Sequence, residues 1–332
     1  MRTKSSFKNS QVAVIGCGKI GQKRAEGLGD HVKVFGCYDI CPYSSEAFSK
    51  RFSCEKFDHP QLLINSTQID TVIICVQHDM LCEYAVSAIK AGKNVLVEKP
   101  AAIKSAELDI LINELKKTNV YFDVGFNHRF HPAVVKAFEL IAAGELGELM
   151  FTRSRYGHGG RLGYESEWRA DFKKSGGGEL IDQGPHLIDL NLQIFGELEL
   201  KYGLATTLFW DMEVDDNAFL LLQNSLGQCA QIHVSCTEWK NMFSMEIYGK
   251  AGKLEIFGLG GSYGPERLTF YKMLPQMGPP ETTTWEFPWP DTSFTTETAH
   301  FFDQVHSGCG DALANAINAQ KILKIIEKTY GN

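Results

Sequence analysis

The chain has 332 residues, with 33 Lys and Arg against 40 Asp and Glu, a formal charge of −7, and 44% hydrophobic and 22% charged side chains. Ordinary apolar content over this length suffices for two cores and excludes disorder, collagen and coiled coil, while an acidic balance without a Lys/Arg-rich block excludes an electrostatic footprint for nucleic acid. No apolar run approaches the roughly 20 residues that cross a bilayer, and residues 1–10 lack the apolar segment of a secretory signal, which together predict a cytoplasmic protein with no membrane partner.

Residues 12–15, 31–38, 71–76, 94–97 and 120–124 are short, continuously apolar runs. Between them, residues 19–28, 44–51, 80–90 and 105–117 repeat apolar side chains at spacings of three and four. Strands apolar on both faces and alternating with helices predict a parallel sheet covered on both sides, a doubly wound α/β domain over residues 1–125. Beyond Gly125 the pattern changes. A helix at 132–143, a strand at 149–156 and an apolar helix at 178–195 behind a glycine-rich turn come first. Strands at 218–223, 229–235, 244–248 and 254–257 follow, punctuated by Asn224-Ser-Leu-Gly227 and Gly249-Lys-Ala-Gly252, and predict an antiparallel sheet. Pro275, Pro279, Pro280, Pro288 and Pro290 mark irregular connections, and helices at 295–306 and 311–328 close the chain. Residues 126–332 therefore read as a second, α+β domain, whose helix 311–328 is able to pack back on the first. The cysteines (Cys17, Cys37, Cys41, Cys54, Cys75, Cys82, Cys229, Cys236, Cys309) are odd in number and hold no Cys-x-x-Cys pair, so reduced core thiols are expected. His128, His131 and His158 meet no metal-ligand spacing, and no metal is expected.

Gly16-Cys17-Gly18-Lys19-Ile20-Gly21 follows the first strand directly and opens the first helix. In that context Gly16 permits a tight turn, Gly18 lets backbone approach a pyrophosphate, and Gly21 lets helix and strand pack closely. The N–H groups at the helix start, with Lys19 and Ile20, then face the anion. Asp39 ends the second strand eighteen residues after Gly21. That is near the spacing of about 20 expected for the acid that binds an adenosine ribose. A carboxylate there repels a 2′-phosphate and favours NAD over NADP, although Lys50 and Arg51 nearby keep dual specificity open.

Lys99, in Val97-Glu98-Lys99-Pro100, lies just past the C-terminal end of a parallel strand, where open α/β sheets bind ligands. Asp182 and His186 stand at i and i+4 in Gly176-Gly-Gly-Glu-Leu-Ile-Asp182-Gln-Gly-Pro-His186. On one helix they share a face, so that Asp182 fixes the tautomer of His186 for proton transfer. Pro185 complicates this: either the helix runs through it with a lost hydrogen bond, or regular helix begins there. An N-capping Asp beside a core His is the bland alternative.

With these motifs in place, the sequence resembles the Gfo/Idh/MocA oxidoreductase family, which includes inositol dehydrogenases, glucose-fructose oxidoreductase and nucleotide-sugar dehydrogenases. The likeness spans nearly the whole chain: the glycine turn, Ala91 through Glu98-Lys99-Pro100, Phe126-Asn-His-Arg-Phe-His-Pro132, Gly144-Glu-Leu-Gly147, and Gly176 through His186 to Asp189. It implies a Rossmann domain followed by an α+β domain whose large, open, mostly antiparallel sheet forms a homodimer or homotetramer. It also implies Lys99, Asp182 and His186 as the catalytic set, with Val76, Gln77, Glu98 and Lys99 joining the glycine turn and Asp39 at the cofactor. In one departure, Leu81 of Val76-Gln77-His78-Asp79-Met80-Leu81 stands where relatives usually carry His.

The reaction expected is NAD(P)-dependent hydride transfer between nicotinamide and a secondary alcohol of a sugar, cyclitol or nucleotide sugar. His186 is assigned as base and Asp182 as its orienter or a hydroxyl ligand, while Lys99 favours an alkoxide-like transition state; one chain leaves open which of Lys99 and His186 takes the proton. Substrate contacts are expected from Asn127, Arg129, Arg155, Arg161, Tyr164, Trp168 and Arg169, a set of arginines and aromatics suited to an anionic sugar. A cofactor-binding regulator of the same fold without catalysis, and an oxidoreductase that retains its nicotinamide between two sugars, are the competing functions.

Overall fold

The structure is a computed structural model that describes residues 10–29, 32–288 and 290–331. The chain divides into two compact units, one running to Gly125 and including residues 294–321, the other comprising residues 126–293 and 322–332.

In the first unit β1 (Ser10–Ile15), α1 (Lys19–Glu26), β2 (Val32–Tyr38), α2 (Pro42–Phe52), β3 (Glu55–Lys56), α3 (Pro60–Asn65), β4 (Thr71–Ile74), α4 (His78–Lys90), β5 (Asn94–Glu98), α5 (Ser105–Leu115) and β6 (Phe122–Gly125) alternate along the chain. All six strands are parallel, in the order β3-β2-β1-β4-β5-β6. The order turns back on itself between β1 and β4, and the ends of those strands are where such sheets bind dinucleotides. His31, the expected first residue of β2, and residues 1–9 lie outside the described residues.

The second unit opens with α6 (Pro132–Ala142), β7 (Leu149–Gly157), α7 (Phe172–Ser175) and α8 (Glu179–Phe195). It continues with β8 (Glu199–Thr206), β9 (Asn217–Gln223), β10 (Cys229–Ser235), β11 (Met242–Gly249), β12 (Gly252–Phe257), β13 (Glu266–Lys272) and β14 (Glu281–Phe287). The eight strands β7–β14 make one sheet, ordered β14-β13-β12-β11-β7-β10-β9-β8 and antiparallel except where β7 meets β10. One face carries Thr152, Ser154, Phe243, Met245 and Ile247 and is covered by α8, where Asn191 bonds Thr152 and Ser154. On the other face the directly opposed pairs Tyr202–Leu221 and Leu204–Phe219 stand exposed, with Arg153 and Arg155 in line with them.

Residues 294–321 group with the first unit instead of completing the second. In α9 (Ser293–Ser307) Phe301 and Phe302 enter the core built by Val12, Val14, Ile73 and Leu96, and Phe301 lies 5.2 Å from Tyr121. The early part of α10 (Ala312–Tyr330) is tied there as well, by Asn315 donating to the Phe122 carbonyl. Its last turn belongs to the second unit, where the Tyr330 hydroxyl donates to Asp215. The cysteines are free, but the expectation of core thiols fails at Cys41 and Cys309, which are exposed in connections beside α2 and α9. No helix among the described residues is long and apolar enough to cross a membrane.

Candidate active site

In the first unit the glycine turn has the geometry its sequence demands. Gly16 sits at φ +96°, and a Cβ there would stand 2.2 Å from the Cys75 carbonyl oxygen. A Cβ on Gly21 would come within 1.9 Å of the Gly16 carbonyl oxygen, whereas one on Gly18 would meet no protein atom within 4 Å. Gly18 is the N-cap of α1 and carries no side chain to occupy the first N–H groups. That cradle, open at Gly18 and closed behind, fits a dinucleotide pyrophosphate. Lys19 is exposed and Ile20 half-buried beside it.

Asp39 does more than its spacing suggested. Its Oδ2 accepts the Cys17 N–H at 2.7 Å and its Oδ1 the Cys41 N–H at 2.8 Å, so one carboxylate clamps the phosphate-binding turn to the start of α2. Each oxygen keeps a lone pair for a ribose hydroxyl. Val76 and Gln77 precede α4, with Gln77 as its N-cap, and Leu81 is fully buried core. Glu98 ends β5, and Lys99 follows it half-buried.

In the second unit α8 runs without interruption through Pro185, so Asp182 and His186 lie one turn apart on one face. The capping alternative falls away, because the N-cap is Gly178 and Asp182 is the fourth helical residue. The start of α8 is held by a residue the sequence did not single out: the Asp215 carboxylate accepts the N–H groups of Gly178 at 2.9 Å and Leu180 at 2.8 Å. Gly178 must be glycine there, since a Cβ would fall 1.9 Å from the Asp215 carbonyl oxygen.

Asp182 and His186 are 6% and 5% exposed. Arg169 Nε donates to Asp182 Oδ2 at 2.9 Å while its guanidinium lies 4.6 Å over the Trp168 ring. The His186 ring stacks on His128 at 3.8 Å and 14° and meets Tyr156 edge-on at 6.0 Å. Beneath them, His131 Nδ1 is 3.2 Å from Glu266, whose carboxylate also accepts the N–H groups of Ala133 and Gly260.

One turn before Asp182, the buried Glu179 has Oε1 at 3.5 Å from His158 Nε2 and Oε2 at 3.5 Å from the Tyr164 hydroxyl. Burial pushes its carboxyl up, and Asp182 adds to the shift while His158 opposes it. Neither Glu179 nor His158 had been singled out as a pair. The only hint in the sequence was the acid three residues before Asp182.

The structure thus gathers Asp182, His186, Arg169 and, through Glu179, Tyr164. The other arginines have carboxylate partners of their own. Arg129 forms a two-pronged pair with Asp189, with Nε 2.6 Å from Oδ2 and the Asp189 side chain 1% exposed. Arg155 projects from the sheet face opposite α8 and pairs with Glu238 at 3.0 Å. Arg161 pairs with Glu167, and Asn127 is buried, donating to Ser293 Oγ at 2.9 Å.

Residues 10–126 match the oxidoreductase-family NAD-binding Rossmann fold, and residues 134–255 match the Gfo/Idh/MocA C-terminal domain. Among curated proteins the chain is 27% identical over 261 residues to myo-inositol 2-dehydrogenase of Thermotoga maritima, covering 76% of this chain and 73% of that protein. It is likewise 27% identical over 259 residues to scyllo-inositol 2-dehydrogenase (NAD(+)) of Bacillus subtilis, covering 75% and 72%. In fold it is similar to levoglucosan dehydrogenase in complex with NADH and levoglucosan, with a TM-score of 0.86 at 19% identity over 98% of each chain. Matches to both halves of one family, in the order that family carries them, place this chain in the Gfo/Idh/MocA oxidoreductases, with an NAD-binding Rossmann domain ahead of the family's C-terminal domain.

Proposed function

We propose that the chain is an NAD-dependent dehydrogenase acting on a secondary alcohol of an uncharged sugar or cyclitol. Asp182 and His186 one turn apart on a continuous α8, with Asp182 held by Arg169, is the observation that carries the reading. When bound, NAD supplies the hydride acceptor at its nicotinamide C4. His186 then removes the hydroxyl proton, its ring held in plane by stacking on His128. Asp182, paired with Arg169, orients that imidazole or a neighbouring substrate hydroxyl, and the Lys99 ammonium stabilises negative charge on the reacting oxygen.

An uncharged substrate is favoured because the arginines expected to bind an anion already have carboxylate partners: Arg129 with Asp189, Arg155 with Glu238, Arg161 with Glu167 and Arg169 with Asp182. The two inositol dehydrogenases named above act on uncharged cyclitols, which agrees with this. Of the substrate-contact residues expected from the sequence, we retain Tyr164, Trp168 and Arg169 beside Asp182, leave Arg161 to its exposed pair with Glu167, and assign Asn127, Arg129 and Arg155 to holding the fold. The exposed stripe of Tyr202, Leu204, Phe219 and Leu221 is where we place a second copy of the chain.

The test is NAD reduction across inositols, aldoses, anhydrosugars, sugar phosphates and nucleotide sugars. Turnover is expected on an uncharged member, with kcat falling by about 10²–10⁴-fold in both Lys99→Met and His186→Ala. Unchanged kcat in both variants on a substrate the protein uses would end the proposal, as would turnover of charged sugars alone.

A further inference from the structure

The first unit buries a charge network that hydride transfer as described above does not use. Arg24, in α1, is 1% exposed. Its Nε donates to Glu98 Oε1 at 2.7 Å, its Nη2 lies 2.7 Å from the same oxygen, and its Nη1 donates to Glu297 of α9, itself 2% exposed. The guanidinium also lies 4.7 Å over the Phe294 ring at the start of α9. Burial opposes the charge on Arg24, but Glu297 and Glu98 outweigh it and keep the guanidinium protonated.

The chain has been shaped around this contact. A Cβ on Gly125, at the end of β6, would stand 2.3 Å from Arg24 Nη2 and 3.2 Å from Glu98 Oε1. Cys75, past the end of β4, is held as a neutral thiol by burial and by the nearby carboxylates. Groups from α1, β4, β5, β6 and α9 therefore converge at the C-terminal edge of the parallel sheet, on the residue immediately before Lys99. A guanidinium buried with two carboxylates is a costly arrangement for stability alone, since apolar residues of similar volume commonly do as well or better.

We propose that Glu297 is a positioning residue for Lys99, acting through Arg24 and Glu98: the clamp fixes the end of β5, and with it the direction in which the Lys99 side chain leaves the strand. This rests on the reading of Lys99 as a catalytic residue. Glu297 holds Arg24, Arg24 holds the Glu98 carboxylate against α1, and the backbone between Glu98 and Lys99 has no freedom to turn. Because α1 begins at the phosphate-binding turn, the same contact ties the position of Lys99 to the element that cradles the dinucleotide.

The test is a double-mutant cycle on the full chain with NAD and the polyol it turns over. Measured at pH 8.5, where the Glu297 carboxyl is ionised, Glu297→Gln keeps an acceptor for Arg24 but removes the charge, and it is expected to lower kcat by about 10- to 100-fold, the scale for a misplaced catalytic group. NADH affinity, read by fluorescence, should stay within a few-fold. Gly125→Ala crowds Arg24 from β6 and should lower kcat in the same way, serving as the second variant if Glu297→Gln fails to fold. In a Lys99→Met background the further loss should vanish, because there is no longer an ammonium to position. If Lys99→Met lowers kcat but the loss from Glu297→Gln multiplies in full on top of it, or if Glu297→Gln and Gly125→Ala both turn over like wild type, the positioning role is overturned. If Lys99→Met itself leaves kcat unchanged, it is the catalytic reading of Lys99 that has failed, and the positioning role fails with it.

Discussion

Replacing Arg129 by Met separates a fold-holding arginine from a substrate-binding one. The Asp189 carboxylate is 1% exposed and meets the guanidinium through two nitrogens. Removing the arginine takes from a buried carboxylate the two-pronged cation that faces it, a change of the kind that costs about 3–5 kcal/mol. At roughly 2–4 °C per kcal/mol for a unit of this size, the melting temperature should fall by about 6–20 °C. Replacing both partners, Arg129→Met with Asp189→Leu, removes the stranded charge and should recover most of that loss. Thermal unfolding followed by tryptophan fluorescence reads the stability, and KM for the polyol, measured well below either midpoint, should change by less than about threefold. An unchanged melting temperature together with a KM raised tenfold or more would refute the assignment and return Arg129 to the substrate.

Two further outcomes are expected. Asp39→Ser should weaken NADH by about 10-fold or more and narrow the preference for NADH over NADPH, because a charged acceptor worth roughly 1.5–3 kcal/mol is lost from the ribose and from the Cys17 N–H; fluorescence titration with both cofactors checks this, and an unaltered NADH affinity contradicts it. Burial pushes the Glu297 carboxyl up to about 7 from an ordinary 4.5, against the pull of Arg24 and with Glu98 and Asp123 adding to the rise. A raised carboxyl binds its proton more tightly in the folded state. Its contribution to stability is therefore complete below about pH 4.5 and lost as pH rises through about 7. Melting temperatures from pH 5 to 8.5 should fall more steeply in wild type than in Glu297→Gln, and equal slopes in the two proteins would refute it.

The first unit was legible because its buried strands are mostly apolar, in spite of residues such as Lys33 in β2 and Asp123 in β6, and its longer helices repeat at three and four, so both signals survive without knowledge of neighbours. The short β3 and α3 were missed for want of length. In the second unit β8 and β14 lie at the two edges of the sheet, and β14 reads Glu-Thr-Thr-Thr-Trp-Glu-Phe, with most of its side chains exposed and no alternation to find. The tight turn at Gly16 and the close approach of Gly21 to the Gly16 carbonyl were legible because they follow from backbone geometry within six residues, whereas the Cys75 carbonyl that closes on Gly16 lies far along the chain. Pro185 could not be resolved from sequence, because whether a helix tolerates an internal proline depends on what packs around it. The ending of the first unit was partly hidden for a related reason. Phe301 and Phe302 give α9 an apolar stripe, but a stripe does not say which core it enters.

Charge was the least legible property, and the reason bears on function. An arginine in a sequence advertises a cation, whereas the binding of an anion depends on the charge left after folding. Asp189 lies 60 residues from Arg129 and Glu238 lies 83 residues from Arg155, separations at which no spacing rule predicts a pair. Once formed, these pairs differ in what a phosphate would have to displace. Parting Arg161 from Glu167, both partly exposed, gives up about 0–1 kcal/mol, whereas parting Arg129 from the buried Asp189 gives up several. Arg169 is no freer, because taking it from Asp182 would strip a buried carboxylate one turn from His186 of the guanidinium that faces it. An anionic substrate held by Arg129 or Arg169 would therefore bind at the expense of a buried pair, whereas one held by Arg161 would give up little. On the reading proposed above, a polyol hydroxyl would donate to Asp182 and accept from Arg169 without breaking their pair, so the pairing that hides Arg129 and Arg169 from a sequence reading is also what supports an uncharged substrate.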